Sequence, residues 1–88
     1  MYADVYSGEI TKKLSKLKKR DQKQYGIVRK KMGQILDNPQ HEYKDLHYSM
    51  KGMQRVHIGH FVLVFRIDWQ NRTVSFEDYD HHDNIYGN

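Results

Sequence analysis

The chain has 88 residues, no cysteine and a formal net charge of +4, which suits one domain with a single modest core and excludes a disulfide scaffold or a thiolate metal site. No apolar run approaches the roughly 20 residues that span a bilayer, and Met1 to Tyr6 lack the pattern of a secretion signal, so a soluble cytoplasmic protein is expected. The charge is uneven: residues 7–36 hold ten Lys and Arg against Glu9 and Asp21, whereas residues 68–88 hold five acids against Arg72 alone.

Ala3 to Tyr6 read as a short edge strand, and Ser7 as an N-cap whose hydroxyl accepts from a free first-turn amide. Ile10, Leu14 and Leu17 recur at helical spacing, and the cations Lys18 to Arg20 suit the C-terminal end of that helix. Asp21 with Gln24 resembles a capping box opening a second helix, whose apolar stripe is Tyr25, Val28, Met32 and Ile35. Asp37-Asn38-Pro39 stops it, because proline cannot continue the backbone bonding. The two helices form a hairpin that buries one side and leaves Lys12, Lys13, Lys16, Lys19, Arg20 and Lys23 on the other. Such a face attracts RNA through counterion release, although many lysine-rich helix faces are simply solvated.

After residues 40–45 the apolar period changes from 3.6 to 2. Val56 and Ile58 share one face of a strand, Arg55 and His57 the other, and Gly59-His60 reads as a tight turn or a bulge. Phe61 to Ile67 has the composition of a central strand covered on both faces. A polar loop, Asp68 to Asn71, leads into a returning strand from Thr73 to Tyr79. The predicted fold class is α+β: one domain, residues 1–88, with an N-terminal helical hairpin packed on one face of a small antiparallel sheet.

Four of the six histidines fall in two places, His57 with His60 and His81 with His82. An antiparallel meander can bring the end of its last strand beside an earlier one, which would let His82 approach His57. Two imidazoles, a cation and a phenol are what metal-free RNA cleavage requires. A neutral imidazole takes the 2′-hydroxyl proton, an imidazolium protonates the departing 5′-oxygen, and Arg or Lys offsets charge on the phosphorane. A metal held by His57 and His60 with His81, His82 or Asp83 is the weaker alternative, because a strand with an intervening turn fixes no ligand geometry. No cofactor is expected.

The run Arg55-Val56-His57-Ile58-Gly59-His60-Phe61-Val62-Leu63-Val64-Phe65, followed by Asp80-His81-His82-Asp83-Asn84-Ile85-Tyr86, resembles the C-terminal half of RelE/ParE-superfamily toxins. The helical hairpin matches in length and order, so the resemblance covers the whole chain. Many members have an arginine after the aromatic of the central strand, where this chain has Val62; the histidine-rich YafQ-like branch also has an apolar residue there. Tyr43-Lys44-Asp45 and His82, four residues before Tyr86, match that branch as well. The resemblance implies a toxin that pairs with an antitoxin and cleaves mRNA in the ribosome without a metal. It implies His82 as principal acid/base, His57 as partner base or phosphate contact, and Tyr86 as a base-orienting ring. His47 and His60 are further candidates for the catalytic set, and Arg55, Lys51 and His81 are candidate phosphate contacts. The basic helices would dock on ribosomal RNA. Two rival readings stay open: a ParE-like topoisomerase inhibitor without nuclease chemistry, and an inactive member that acts only in an antitoxin–DNA repressor complex.

Overall fold

The computed structural model describes residues 1–46 and 52–87. Within them the elements run β1 (Ala3–Tyr6), α1 (Gly8–Arg20), α2 (Gln22–Asp37), β2 (Lys44–Asp45), β3 (Gln54–Ile58), β4 (Phe61–Asp68), β5 (Thr73–His81) and α3 (His82–Tyr86). Ser7 caps α1: its hydroxyl accepts from the Ile10 amide and donates to the Glu77 carbonyl at 2.6 Å, pinning the helix start to β5. Asp21 alone separates the helices. Its amide donates to the Leu17 carbonyl and its carboxylate accepts from the Gln24 amide, so one residue closes α1 and opens α2. The reciprocal half of the predicted capping box is not made, because the Gln24 side chain donates to the Tyr79 hydroxyl instead.

The sheet order is β1-β5-β4-β3-β2. The β3–β4 and β4–β5 pairs are antiparallel, as predicted; β2, in a stretch read only as polar, adds an antiparallel pair with β3, and β1 pairs with β5 in parallel and makes the sheet mixed. The chain between these parallel neighbours runs through the helical hairpin and then β2, β3 and β4, a long connection that a tight turn cannot supply. Ile10, Leu14 and Leu17 from α1, with Val28, Met32, Ile35 and Leu36 from α2, pack on Leu63, Phe65, Val74, Phe76 and Tyr79. In β4, Leu63 and Phe65 join this core while Val62 and Val64 alternate onto the opposite face, and all four are buried, as the unbroken apolar run predicts. Among the described residues no helix is long and apolar enough to cross a membrane.

One irregularity decides which side chains reach that opposite face. Val64 pairs with Asp78 but Phe65 pairs with Phe76, so Glu77 is an extra residue in β5. Strict alternation from Val74 and Phe76 would drive Asp78 into the core and turn Tyr79 out. The bulge restores Tyr79 to the core and aims Asp78 and Asp80 at the face opposite the helical hairpin. β5 also runs past its predicted end at Tyr79 to His81, and the chain turns at once into α3.

Candidate active site

On the face opposite the helical hairpin, neighbouring strands align Arg55 with Val64 and Asp78, and His57 with Val62 and Asp80. Where β5 ends, the His82 amide donates to the His60 carbonyl in the β3–β4 turn at 2.9 Å. That bond directs α3 across the end of β4 toward β3. Tyr86 lies one helical turn beyond His82, its ring centroid 6.3 Å from that of His57, with the Arg55 guanidinium 5.9 Å above it. Arg55 and Tyr86 lie 31 positions apart by their numbers, and only the register of β3, β4 and β5 makes them neighbours.

The other histidines form a second group beside the first. His81 and His82 stack at 4.6 Å, and His60 lies 6.2 and 6.4 Å from their rings. No ring contact joins His57 to His82 among the described residues; Tyr86 stands against His57, and His60 against His82. The Asp83 carboxylate lies 3.1 Å from Nδ1 of His82, a placement that favours the proton on Nδ1 and leaves Nε2 for transfer. His81 caps α3, its Nδ1 accepting from the Asp83 amide at 3.2 Å. Arg55 has a buried Nε–H with no hydrogen-bond partner among the described residues, a donor directed into the protein surface rather than solvated.

Lys13 has a different role from its helical neighbours. Lys12, Lys16, Lys19, Arg20 and Lys23 are exposed, but Lys13 reaches along the β5 edge that β1 leaves uncovered and bonds Asp78 at 2.7 Å and Asp80 at 2.8 Å. Partial burial works against its charge, yet the two carboxylates outweigh it and push the ammonium up to about 12. Burial likewise opposes ionisation of Asp80, and Lys13, Asn84 and the His81 amide together hold its carboxyl below the usual 3.8. Asp80 therefore links α1 through Lys13 to α3 through Asn84 at 2.9 Å and the His81 amide at 2.7 Å.

His47 and Lys51 lie outside the described residues. Two contributors, Lys44 and Asp80, were given no role in the sequence reading. Lys44 pairs directly with Arg55 across β2 and β3 and shares with it an open groove of about 450 Å³ that continues to His57. Asp80 was visible only as an acid near histidines, and Asp83, named as an alternative metal ligand, was not expected to orient His82. The step in apolar spacing from two (Val74, Phe76) to three (Phe76, Tyr79) was the available signal for the bulge that orients Asp80.

Residues 5–86 match the model of the ParE toxin family of type II toxin–antitoxin systems. A Methanocaldococcus jannaschii protein named RelE4 is 48% identical over 87 residues, covering 98% of this chain and 92% of that protein. A chain of the intact E. coli RelBE toxin–antitoxin complex superposes with a TM-score of 0.78 at 17% identity, covering 92% of this chain and 96% of that one. A chain of the E. coli DinJ–YafQ complex superposes with a TM-score of 0.72 at 20% identity, covering 99% and 100%. At these identities the two structures establish the fold alone. The chain belongs to the RelE/ParE superfamily of type II toxin–antitoxin toxins.

Proposed function

We propose, from that membership, that this toxin is an endoribonuclease that cuts mRNA on the ribosome by attack of a ribose 2′-hydroxyl on the adjacent phosphate. One observation carries the reading: Arg55, His57 and Tyr86 converge where α3 meets β3, one helical turn from His82 and its Asp83 carboxylate. In this mechanism the O2′–P bond forms as the P–O5′ bond breaks, leaving a 2′,3′-cyclic phosphate and a free 5′-hydroxyl. One imidazole takes the 2′ proton and the other, protonated, gives one to O5′.

In-line displacement puts nucleophile and leaving group on opposite sides of phosphorus. Acid and base then flank the phosphate rather than touch, which suits the separate placement of His57 and His82. His82 acts as principal acid/base through Nε2, with Asp83 orienting its ring. Arg55 brings the cationic end of its guanidinium, already beside the Tyr86 ring, to the phosphorane. Val62, where many relatives have arginine, is fully buried between His57 and Asp80 and serves as the floor of the site. Tyr86 stacks on a base, while Lys12, Lys16, Lys19, Arg20 and Lys23 dock on ribosomal RNA and Lys13 holds α3. The reaction draws its acid, base and cation from side chains and uses no cofactor. By analogy with the RelBE and DinJ–YafQ assemblies, the partner is a cognate antitoxin, and the setting is the cytoplasm.

The test is inducible bacterial expression of wild type, His57→Ala and His82→Ala, with mRNA ends mapped by primer extension. Cutting by wild type and its loss in His82→Ala are expected. Growth arrest with DNA damage and intact mRNA would instead favour topoisomerase inhibition. Cutting that persists in both variants would sink the site assignment.

A further inference from the structure

We infer that His81, His82 and Asp83 form a binding site for a transition-metal ion of the Zn²⁺ type, with His60 as fourth donor, and that its occupancy switches the toxin off. The switching half rests on the nuclease reading; the binding half does not. The ligand atoms of His81, His82 and Asp83 all lie within 4.8 Å of one another. A tetrahedral ion with bonds of about 2.0–2.1 Å places its ligand atoms roughly 3.3 Å apart. The Asp83 carboxylate lies 3.1 Å from Nδ1 of His82 and 3.6 Å from Nδ1 of His81, so little movement separates the present arrangement from a coordinating one.

The site is also held in place before any ion arrives. Its three residues are consecutive at the β5–α3 junction, where Asp80 accepts from the His81 amide at 2.7 Å and from Asn84 at 2.9 Å. His60 is tied to the same junction through its carbonyl and the His82 amide, its ring 6.2 Å from His81 and 6.4 Å from His82. The His81 Nδ1 lone pair accepts the Asp83 backbone amide at 3.2 Å, a bond that an ion at Nδ1 displaces and an ion at Nε2 leaves in place. The side chains of His81, His82 and Asp83 are 39%, 45% and 70% exposed, leaving the ion an open approach. Imidazoles with one carboxylate favour Zn²⁺ and its neighbours over Mg²⁺ or Ca²⁺, which prefer all-oxygen shells. An ion at Nδ1 of His82 displaces the proton from that nitrogen, so the neutral ring carries its single proton on Nε2, has no lone pair there to accept another, and is not the imidazolium that protonates O5′.

The experiment titrates zinc sulfate into the tag-free, chelator-treated full chain by calorimetry, with circular dichroism confirming that each variant is folded. One ion per chain is expected, with affinity falling about tenfold or more in His81→Ala, His82→Ala and Asp83→Asn. His60→Ala weakens binding, His41→Ala binds as wild type, and magnesium chloride produces no heat. Absence of zinc binding by wild type, or binding that survives all three substitutions, overturns the site; unchanged affinity in His60→Ala removes His60 from it. In a parallel mRNA-cleavage assay, zinc inhibits with the same midpoint as binding and chelation restores activity. Tight binding without inhibition would overturn the switch and the role given to His82. Histidine-dependent cleavage without zinc binding would overturn the metal site alone.

Discussion

Replacing Lys13 with methionine keeps an aliphatic stem but removes the cation that α1 places 2.7 Å from Asp78 and 2.8 Å from Asp80. The fold raises the ammonium from 10.5 to about 12, worth roughly 2 kcal/mol at about 1.36 kcal/mol per pH unit. The Lys13 side chain is 27% exposed, and solvent screening brings the contribution to about 1–2 kcal/mol. A domain of this size loses about 4–8 °C in Tm per kcal/mol, so Lys13→Met should melt about 4–15 °C below wild type at neutral pH.

The pH dependence follows from the two directions. Because Lys13 is raised, its contribution is complete below 10.5 and disappears as pH climbs through about 12. Because Asp80 is lowered, its share is present above 3.8 and is lost as pH falls through its depressed value. The Tm gap between wild type and Lys13→Met should be flat around neutrality and close in acid. Melts followed by circular dichroism across that range test this. A neutral-pH gap under about 1 °C, or one that persists undiminished in acid, would refute the reasoning. Since Asp80 also holds α3, the variant should lose cleavage rate more than substrate affinity.

Arg55→Ala should lower kcat/KM about 10–150-fold, the equivalent of a charged hydrogen bond of about 1.5–3 kcal/mol. Arg55→Lys should recover only part, lacking the guanidinium fork; a wild-type rate in the alanine variant would remove Arg55 from the site. Tyr86→Phe keeps the ring beside His57 and Arg55 and should cleave within about threefold of wild type, whereas Tyr86→Ala forfeits base stacking of about 1–3 kcal/mol. Single-turnover cleavage distinguishes them, and equal losses would show that the hydroxyl, not the ring, matters. Deleting Glu77 removes the extra residue but keeps Phe76 opposite Phe65 and Asp78 opposite Val64, so Tyr79 stays in the core; the loss is chiefly the anchor of Ser7 on the Glu77 carbonyl, about 1 kcal/mol. A cooperative melt about 4–8 °C below wild type is expected, and a deletion that fails to fold would show that the bulge itself is required.

The helices and main strands were legible in the chain because their determinants are local. Ser7 caps three residues ahead, Asp21 does the same, and Leu14 follows Ile10 by one turn whatever lies beyond them. The apolar run through β4 likewise announced burial on both faces. A parallel seat for β1 and a turn of helix after His81 were not legible, since neither depends on short-range pattern. The site divides in the same way. His57, His82, Tyr86 and Arg55 could be named from residue type and resemblance, but their neighbourhood comes from strand register, the extra residue at Glu77 and the bond from His82 to His60. Lys13 shows the difference most directly. Its sequence context made it one more cation on a basic helix, but the structure joins it to Asp78 and Asp80, 65 and 67 residues away. Helical periodicity specifies which face a lysine occupies; which carboxylates meet it is decided by the sheet edge packed against that helix.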